Sequence, residues 1–259
     1  MFLVSTFKSD RRDFCFLRCG ISAMTSLRST TIPVSDPAAG LRITEIFYSL
    51  QGEANTAGLP TVFIRLTGCP LRCTYCDTTY SFEGGERQSL DQIIETALSF
   101  KTPYICVTGG EPLAQPNCLH LLTRLSDLGC QVSLETSGAL DVSKVDSRVS
   151  KVLDLKTPTS GEEKRNLLSN LDYLTSHDQI KFVICNRDDY EWSKQQLENY
   201  QLDEKVSTVW FSPAFAVEKA SVKLPQLARD MAQWILDDHL PVRFQLQLHK
   251  LLWNDETGR

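Results

Sequence analysis

From Leu41 onward, short apolar or β-branched runs alternate with amphipathic helical patterns, and no other feature restricts the fold as much. Strand patterns lie at Thr61–Thr67, Tyr104–Thr108, Gln131–Glu135, Lys151–Leu155, Gln179–Ile184 and Val206–Phe211, with a last one at Val242–Leu248. Ser89-Leu-Asp-Gln92 is a capping box opening a helix with Ile93, Ile94, Ala97 and Leu98 on its apolar face. A second helix carries Leu119, Leu122, Leu125 and Leu128, with Pro116 in its first turn and Gly129 at the left-handed cap. Further helices are expected over Glu163–Leu174, Asp188–Tyr200 and Leu224–Asp238. Such alternation implies parallel strands joined by right-handed crossovers. About six units are too few to close an eight-fold barrel. The expected fold is therefore α/β, an open partial (β/α)6 barrel, with its chemistry at the carboxyl ends of the strands.

The polar motifs occur at those ends. After the first strand comes Gly68-Cys-Pro-Leu-Arg-Cys-Thr-Tyr-Cys-Asp77, which holds Cys69, Cys73 and Cys76. Soft thiolates this close together suit iron–sulfur or zinc. Either metal usually takes four protein ligands in a structural or electron-transfer site, and the next cysteine, Cys106, lies in an apolar run. Three thiolates on a [4Fe–4S] cluster leave one iron open to an exogenous ligand; a zinc knuckle is the plainer alternative. Gly109-Gly110-Glu111-Pro112 follows the next strand, and paired glycines let a backbone approach a ligand closely. Ser133, Glu135 and Ser137 share one face of an extended chain, a polar comb that could equally be an ordinary strand-to-turn exit. Asp154 and Lys156 close the following strand together, opposite Leu155.

Composition narrows the setting. The 259 residues fit one catalytic domain, 41–259. A net charge of -5 argues against non-specific binding to nucleic-acid phosphates. No apolar stretch approaches membrane-spanning length. The nine cysteines are an odd number without a convincing signal peptide. Cys106, Cys118, Cys130 and Cys185 read as reduced core residues, and the compartment as cytoplasm. Residues 1–40 are rich in Ser, Thr and Arg without periodicity and read as a disordered or mis-started extension, with Met24 a plausible initiator. Cys15 and Cys19 in that stretch are expected to do nothing.

C-x3-C-x2-C is the spacing of radical S-adenosylmethionine (SAM) enzymes, and the chain resembles that family, including its GGEP segment, at Gly109–Pro112. Within it, several segments are similar to the 7-carboxy-7-deazaguanine synthases of the queuosine pathway. These are Glu45-Ile-Phe47-Tyr-Ser-Leu50-Gln51-Gly52-Glu53, Phe63-Ile-Arg65-Leu-Thr-Gly-Cys69, Cys76-Asp77-Thr78 and Gln245-Leu-Gln247-Leu-His249-Lys250. The resemblance covers roughly Leu41 to Trp253. It implies a radical SAM barrel, a homodimer, and conversion of 6-carboxy-5,6,7,8-tetrahydropterin to 7-carboxy-7-deazaguanine with loss of ammonia. It further implies reductive cleavage of SAM, hydrogen abstraction from C6 of the pterin, and an electron donor such as flavodoxin or ferredoxin.

The resemblance also assigns residues. Cys69, Cys73 and Cys76 hold a [4Fe–4S] cluster, and Tyr75, Asp77, Gly110, Ser133, Glu135, Thr136, Ser137 and Lys156 bind the cofactor. Leu50, Gln51, Gly52, Glu53, Arg65 and Thr108 bind substrate. Thr78 is the position for Mg2+, with a plain turn hydroxyl as its alternative. Arg65 alternates with Ile64 and Leu66, so its guanidinium points to the predicted cavity, where it suits a carboxylate or an ion pair with a neighbouring acid. No residue is assigned as catalytic, His249 included. The rival readings are an activase for a glycyl-radical enzyme, which is expected to lack the Gln51–Glu53 and Gln245–Lys250 segments, and a zinc-binding module.

Overall fold

The computed structural model describes residues 40–214, 226–253 and 256–258. The expectations for Cys15, Cys19, Met24 and nearly all of the 1–40 stretch lie outside them. Strands run at Leu41–Leu50 (β1), Pro60–Leu66 (β2), Glu86–Gln88 (β3), Tyr104–Gly109 (β4) and Gln131–Thr136 (β5). Ser150–Asp154 (β6), Gln179–Ile184 (β7), Thr208–Pro213 (β8) and Arg243–Phe244 (β9) complete the set. They form one sheet in the order β3-β1-β2-β4-β5-β6-β7-β8-β9. From β2 through β9 every neighbouring pair is parallel, whereas β1 runs antiparallel to both β2 and β3. The linear order with two free edges is the open partial α/β barrel that the alternation implies, extended by an antiparallel flank. No helix among the described residues is long and apolar enough to cross a membrane.

Helices lie at Leu90–Ser99 (α1), Cys118–Asp127 (α2), Arg187–Tyr200 (α3), Leu202–Lys205 (α4), Gln226–Asp237 (α5) and Leu248–Trp253 (α6). The Ser89 side chain accepts from Gln92 N and the Gln92 side chain accepts from Ser89 N, so the capping box forms. Gly129 takes a positive φ of 81° after α2, as its cap position requires. The buried stripes sit slightly off the expected ones. Leu90 replaces Leu98 in α1, and α2 buries Cys118 and Leu121 in place of Leu119 and Leu128. Outward-facing Val62, Ile64, Leu66, Ile105, Val107, Val132, Leu134, Ile180, Phe182 and Ile184 form the core with these helices.

Two expected elements differ. The 163–174 segment is two 3-10 turns, Glu163–Arg165 and Leu168–Tyr173, not a helix. The cause is competition from side chains for backbone partners. Asn166 bonds the backbone of Lys156 at both N and O, each 2.9 Å, while Asn170 ties Val142 N, Gly138 O and Leu140 O. The last strand is only two residues long. Gln245 N still donates to Phe211 O at 3.0 Å, then Leu248 N turns to Gly52 O at 3.1 Å and α6 begins.

Candidate active site

A cavity of about 850 Å³ opens at the carboxyl ends of the parallel strands. Its wall follows from period-two alternation: the residues between the outward apolar ones point inward. That places Arg65 of β2, Thr108 of β4, Glu135 of β5, Asp154 of β6 and Lys181 of β7 around one space.

The cysteine loop closes one end. Its backbone is pinned on several sides: Gly68 N donates to Ser81 O at 2.8 Å and Glu111 N to Gly68 O at 2.8 Å. Thr74 reaches across to Ser160 O and Thr159 O, and Arg72 Nη1 donates to the carbonyls of Cys69 and Leu71 at 2.7 Å each. Cys69, Cys73 and Cys76 all line the cavity, partly exposed and as free thiols. Burial pushes the Cys69 thiol up and the Cys73 thiol to about 11, against the pull of the Lys156 ammonium. Among the described residues no three His, Cys, Asp or Glu side chains converge on a single metal-ion position. A cluster taking one thiolate per iron needs no such convergence. Soft donors, a neighbouring cation and open space beside them fit a [4Fe–4S] group.

Next to the thiols, Tyr75 presents a buried hydroxyl with no partner, and its ring lies 5.9 Å from the Lys156 ammonium. Asp77 is engaged by Lys250 at 2.9 Å; burial alone would raise its carboxyl, but Lys250 holds it below its ordinary value. Thr78 accepts at its carbonyl from Ser81 N and Ser81 Oγ, and its hydroxyl lies 3.7 Å from Cys76 Sγ.

The glycine pair has a steric role that the motif alone hides. A Cβ on Gly110 would lie 2.2 Å from Gly68 O and 2.9 Å from Cys69 Cβ, so the bare glycine lets the strand end pack against the cysteine loop. Glu111 is fully buried and gathers this region. It accepts from Thr136 Oγ1 at 2.9 and 3.0 Å, and from Ser137 N and Oγ at 2.7 and 2.5 Å. The hydroxyls of Thr136 and Ser137 are therefore donors to Glu111, and their oxygens accept in turn from Gly138 N and Ala139 N at 3.4 Å each. Ser133 departs from expectation: it does not line the cavity. Two residues back along β5 from Glu135, it is about 7 Å deeper, interacting with the Cys106 thiol beside Gln51.

At the other end lie Leu50, Gln51, Gly52 and Glu53. Gln51 Oε1 accepts from Glu53 N at 3.2 Å. Gly52 is small for the sake of His249, whose Nδ1 would be 2.3 Å from an added Cβ. Arg65 Nε donates to Glu45 Oε1 at 2.7 Å, and Tyr80 OH donates to the same oxygen at 2.9 Å. The guanidinium sits 5.7 and 5.9 Å from the Phe47 and Tyr80 rings. Arg65 thus makes an ion pair with a neighbouring acid through Nε while it also lines the cavity. Thr108 Oγ1 donates to Glu135 Oε2 at 2.9 Å.

Lys181 is a wall residue that no motif singles out; Asp154, Gln247, His249 and Lys250, which lie in segments noted in the sequence without a ligand role, line the cavity with it, and Phe47 and Phe63 stack at 4.8 Å. Cys185 also lines the cavity and is partly exposed, not a core residue. Lys181 was detectable as the charged position alternating with Ile180 and Phe182. Its Nζ lies 2.7 Å from Glu53 Oε2 and 3.6 Å from Asp154 Oδ2. Burial would raise Glu53, but Lys181, His249 and the bonds from Lys181 and Gln247 bring it to about 2. Burial likewise opposes the charge on Lys181, and its two acidic neighbours hold it well above its ordinary value.

Comparison with known proteins places this geometry. The Radical SAM superfamily profile matches residues 63–200. The 7-carboxy-7-deazaguanine synthase of Koribacter versatilis is 43% identical, over 84% of this chain and 99% of its own length. That of Chlorobaculum tepidum is 42% identical, over 85% and 97%. The crystal structure of QueE from Escherichia coli superposes with a TM-score of 0.65 over 81% of this chain and 95% of its own, at 23% identity, a likeness of fold.

Proposed function

We propose, from the premise that the chain belongs to the radical SAM superfamily and within it to the 7-carboxy-7-deazaguanine synthases, that it converts 6-carboxy-5,6,7,8-tetrahydropterin to 7-carboxy-7-deazaguanine with release of ammonia. The observation that carries this reading is one cavity with soft thiols at one end and hydrogen-bonding and charged groups at the other. Cys69, Cys73 and Cys76 would hold a [4Fe–4S] cluster, and SAM would bind beside them. Tyr75, Gly110, Glu135, Thr136, Ser137 and Lys156 line the SAM end, Asp77 acting through Lys250. Together the bound cluster and SAM supply one-electron radical chemistry.

The chain's own residues position and enclose. Arg65 is steadied at Nε by Glu45 and keeps its Nη groups for a carboxylate or ring edge, a planar match that lysine lacks. Gln51 and Glu53 face the amide-like pterin edges, and Thr108 is oriented by Glu135. Phe47 and Phe63 exclude water beside them. Thr78 is the position for Mg2+, a hard ion that prefers oxygen ligands. A homodimer, a flavodoxin- or ferredoxin-type electron donor and a reducing, cytoplasmic setting complete the reading, supported by the family and by the free thiols.

The test is anaerobic incubation of reconstituted protein with SAM, a reductant, Mg2+ and the carboxypterin, with product mass spectrometry. 7-Carboxy-7-deazaguanine is expected. Cleavage of SAM without any conversion of the pterin overturns the substrate while leaving the superfamily chemistry standing.

A further inference from the structure

The cavity contains a continuous buried ion chain that the assigned residues only partly account for. Gln247 Nε2 donates to Glu53 Oε1 at 2.6 Å, and Lys181 Nζ lies 2.7 Å from Glu53 Oε2. Lys181 Nζ is also 3.6 Å from Asp154 Oδ2, the oxygen that Lys156 Nζ approaches to 3.0 Å. All four charged side chains are at least 86% buried by exposures of 11–14%. Asp154 Oδ1, by contrast, is buried with no partner. One carboxylate oxygen thus serves two ammonium groups while its twin serves none.

Backbone register sets these side chains next to one another. Asp154 pairs with Lys181 across β6 and β7, and Lys181 pairs with Trp210 across β7 and β8. Glu53 reaches in from the loop after β1, far away in sequence. Among the described residues Lys181 therefore joins the Glu53 end of the cavity to the Asp154–Lys156 end by ion pairs.

We propose that Lys181 is a positioning residue shared by the two ends, so that a change of charge or occupancy at Glu53 is felt at the SAM end through Asp154 and Lys156. The inference rests on the placement of SAM and substrate proposed above. When Glu53 is neutral or engaged by substrate, Lys181 shifts its interaction towards Asp154. Lys156 is then released from Asp154 towards the cofactor. When Glu53 is a free carboxylate, Lys181 divides itself between the two acids and Lys156 stays tied. Energetic coupling between sites requires such a shared element with two arrangements.

The test is a double-variant cycle on the cluster-reconstituted protein, reading the SAM dissociation constant by anaerobic equilibrium dialysis without pterin. Glu53→Gln is expected to tighten SAM binding by about five-fold, the low end of ordinary coupling between sites. In a Lys181→Met background the same Glu53→Gln change is expected to leave SAM affinity unchanged. Lys181→Arg, which keeps the charge, should restore most of the effect. Equal effects of Glu53→Gln with and without Lys181, or no effect in either, overturn the proposal. Lys181→Met strands a buried carboxylate and can fail to fold. In that case Asp154→Asn cuts the link on its other side, and Glu53→Gln must again lose its effect. Because no pterin is present, the cycle stands whether or not the product assay of the proposed function succeeds.

Discussion

On the outer face of the parallel strands, Ile64 and Leu66 of β2, Val107 of β4 and Ile180, Phe182 and Ile184 of β7 are fully buried among helices. On the inner face their chain neighbours are Arg65, Thr108 and Lys181, side chains largely but less completely withdrawn from water, and charged or polar. The outer face gains by burying apolar area, at about 25 cal/mol per Å². The inner face must offset the desolvation of every charge by pairing it. Stability and chemistry are thus separated by the two-residue period of the strand, and each face can be disturbed with little harm to the other.

The largest effect belongs to the loop that caps the inner face. Cys73→Ala is expected to abolish iron binding and SAM cleavage while the chain stays folded, whereas Cys118→Ala on α2 keeps its iron. Iron and sulfide analysis beside a circular-dichroism melt reads both. A Cys73→Ala protein with full iron content would break the assignment of the thiols.

Phe182→Ala should do the opposite. Phe182 is fully buried and meets Phe211 and Trp192 edge-on at 5.5 and 6.1 Å. Its truncation is expected to cost about 3–5 kcal/mol in urea unfolding, with unchanged turnover per folded molecule at low temperature. A stable but inactive Phe182→Ala protein would mean that the two faces are not separable.

The inner face also has its own pH signature. Glu53 is held at about 2 against an ordinary 4.5, so the folded chain takes up that proton less readily than the unfolded one. Its contribution, on the order of 3 kcal/mol, is complete above the unfolded value and disappears as pH falls from 4.5 towards 2. Lys181 is raised, so its share is complete below 10.5 and is lost as pH rises beyond it. Stability curves of the wild type and Glu53→Gln should therefore differ from pH 5 upward and converge in acid. Curves that stay parallel down to pH 2 would show that Glu53 contributes nothing through its charge.

Arg65→Ala removes charge-assisted bonds worth about 1.5–3 kcal/mol each, roughly a ten- to hundred-fold rise in KM for the pterin. Uncoupled formation of 5′-deoxyadenosine should survive, because the cysteine loop and Lys156 are untouched. Equal loss of both activities would place Arg65 with the fold, through Glu45 and Tyr80, and not with the substrate. Gly110→Val is not a clean counterpart, since its Cβ would strike Gly68 O and disturb the thiols themselves.

What could be read in the sequence follows the range of the forces involved. The capping box at Ser89 and the cap at Gly129 depend on neighbours within a few residues, and both formed; the strand patterns are equally local, and of the expected strands only the last is cut short, to Arg243–Phe244. The β1 strand was hidden because a register shift between Ile43 and Glu45 breaks its period. The 163–174 helix failed because Asn166 and Asn170 bond to backbone 10 to 32 residues away. In the site, thiol spacing is local and legible. The Lys181–Glu53 contact spans 128 positions, and Gly52 gives no sign in sequence that it makes room for His249. Alternation alone could show that Lys181 faces inward, not what it meets there.

The smallest effect concerns Ser133, which shares a strand face with Glu135 yet lies below the cavity wall. Its hydroxyl meets the Cys106 thiol, a group pushed well up by burial and therefore a neutral partner. Removing a neutral hydrogen bond costs about 0.5–1.5 kcal/mol, and that is the expected loss for Ser133→Ala in urea unfolding. SAM affinity should change less than about two-fold, because Ser133 does not line the cavity. Ser137→Ala is the contrast on the same strand exit: its hydroxyl both lines the cavity and donates to Glu111, so stability and SAM affinity should fall together. If Ser133→Ala weakens SAM as much as Ser137→Ala does, the ligand reaches a layer deeper than the cavity described, and the boundary between packing and chemistry on the inner face must be drawn below Cys106.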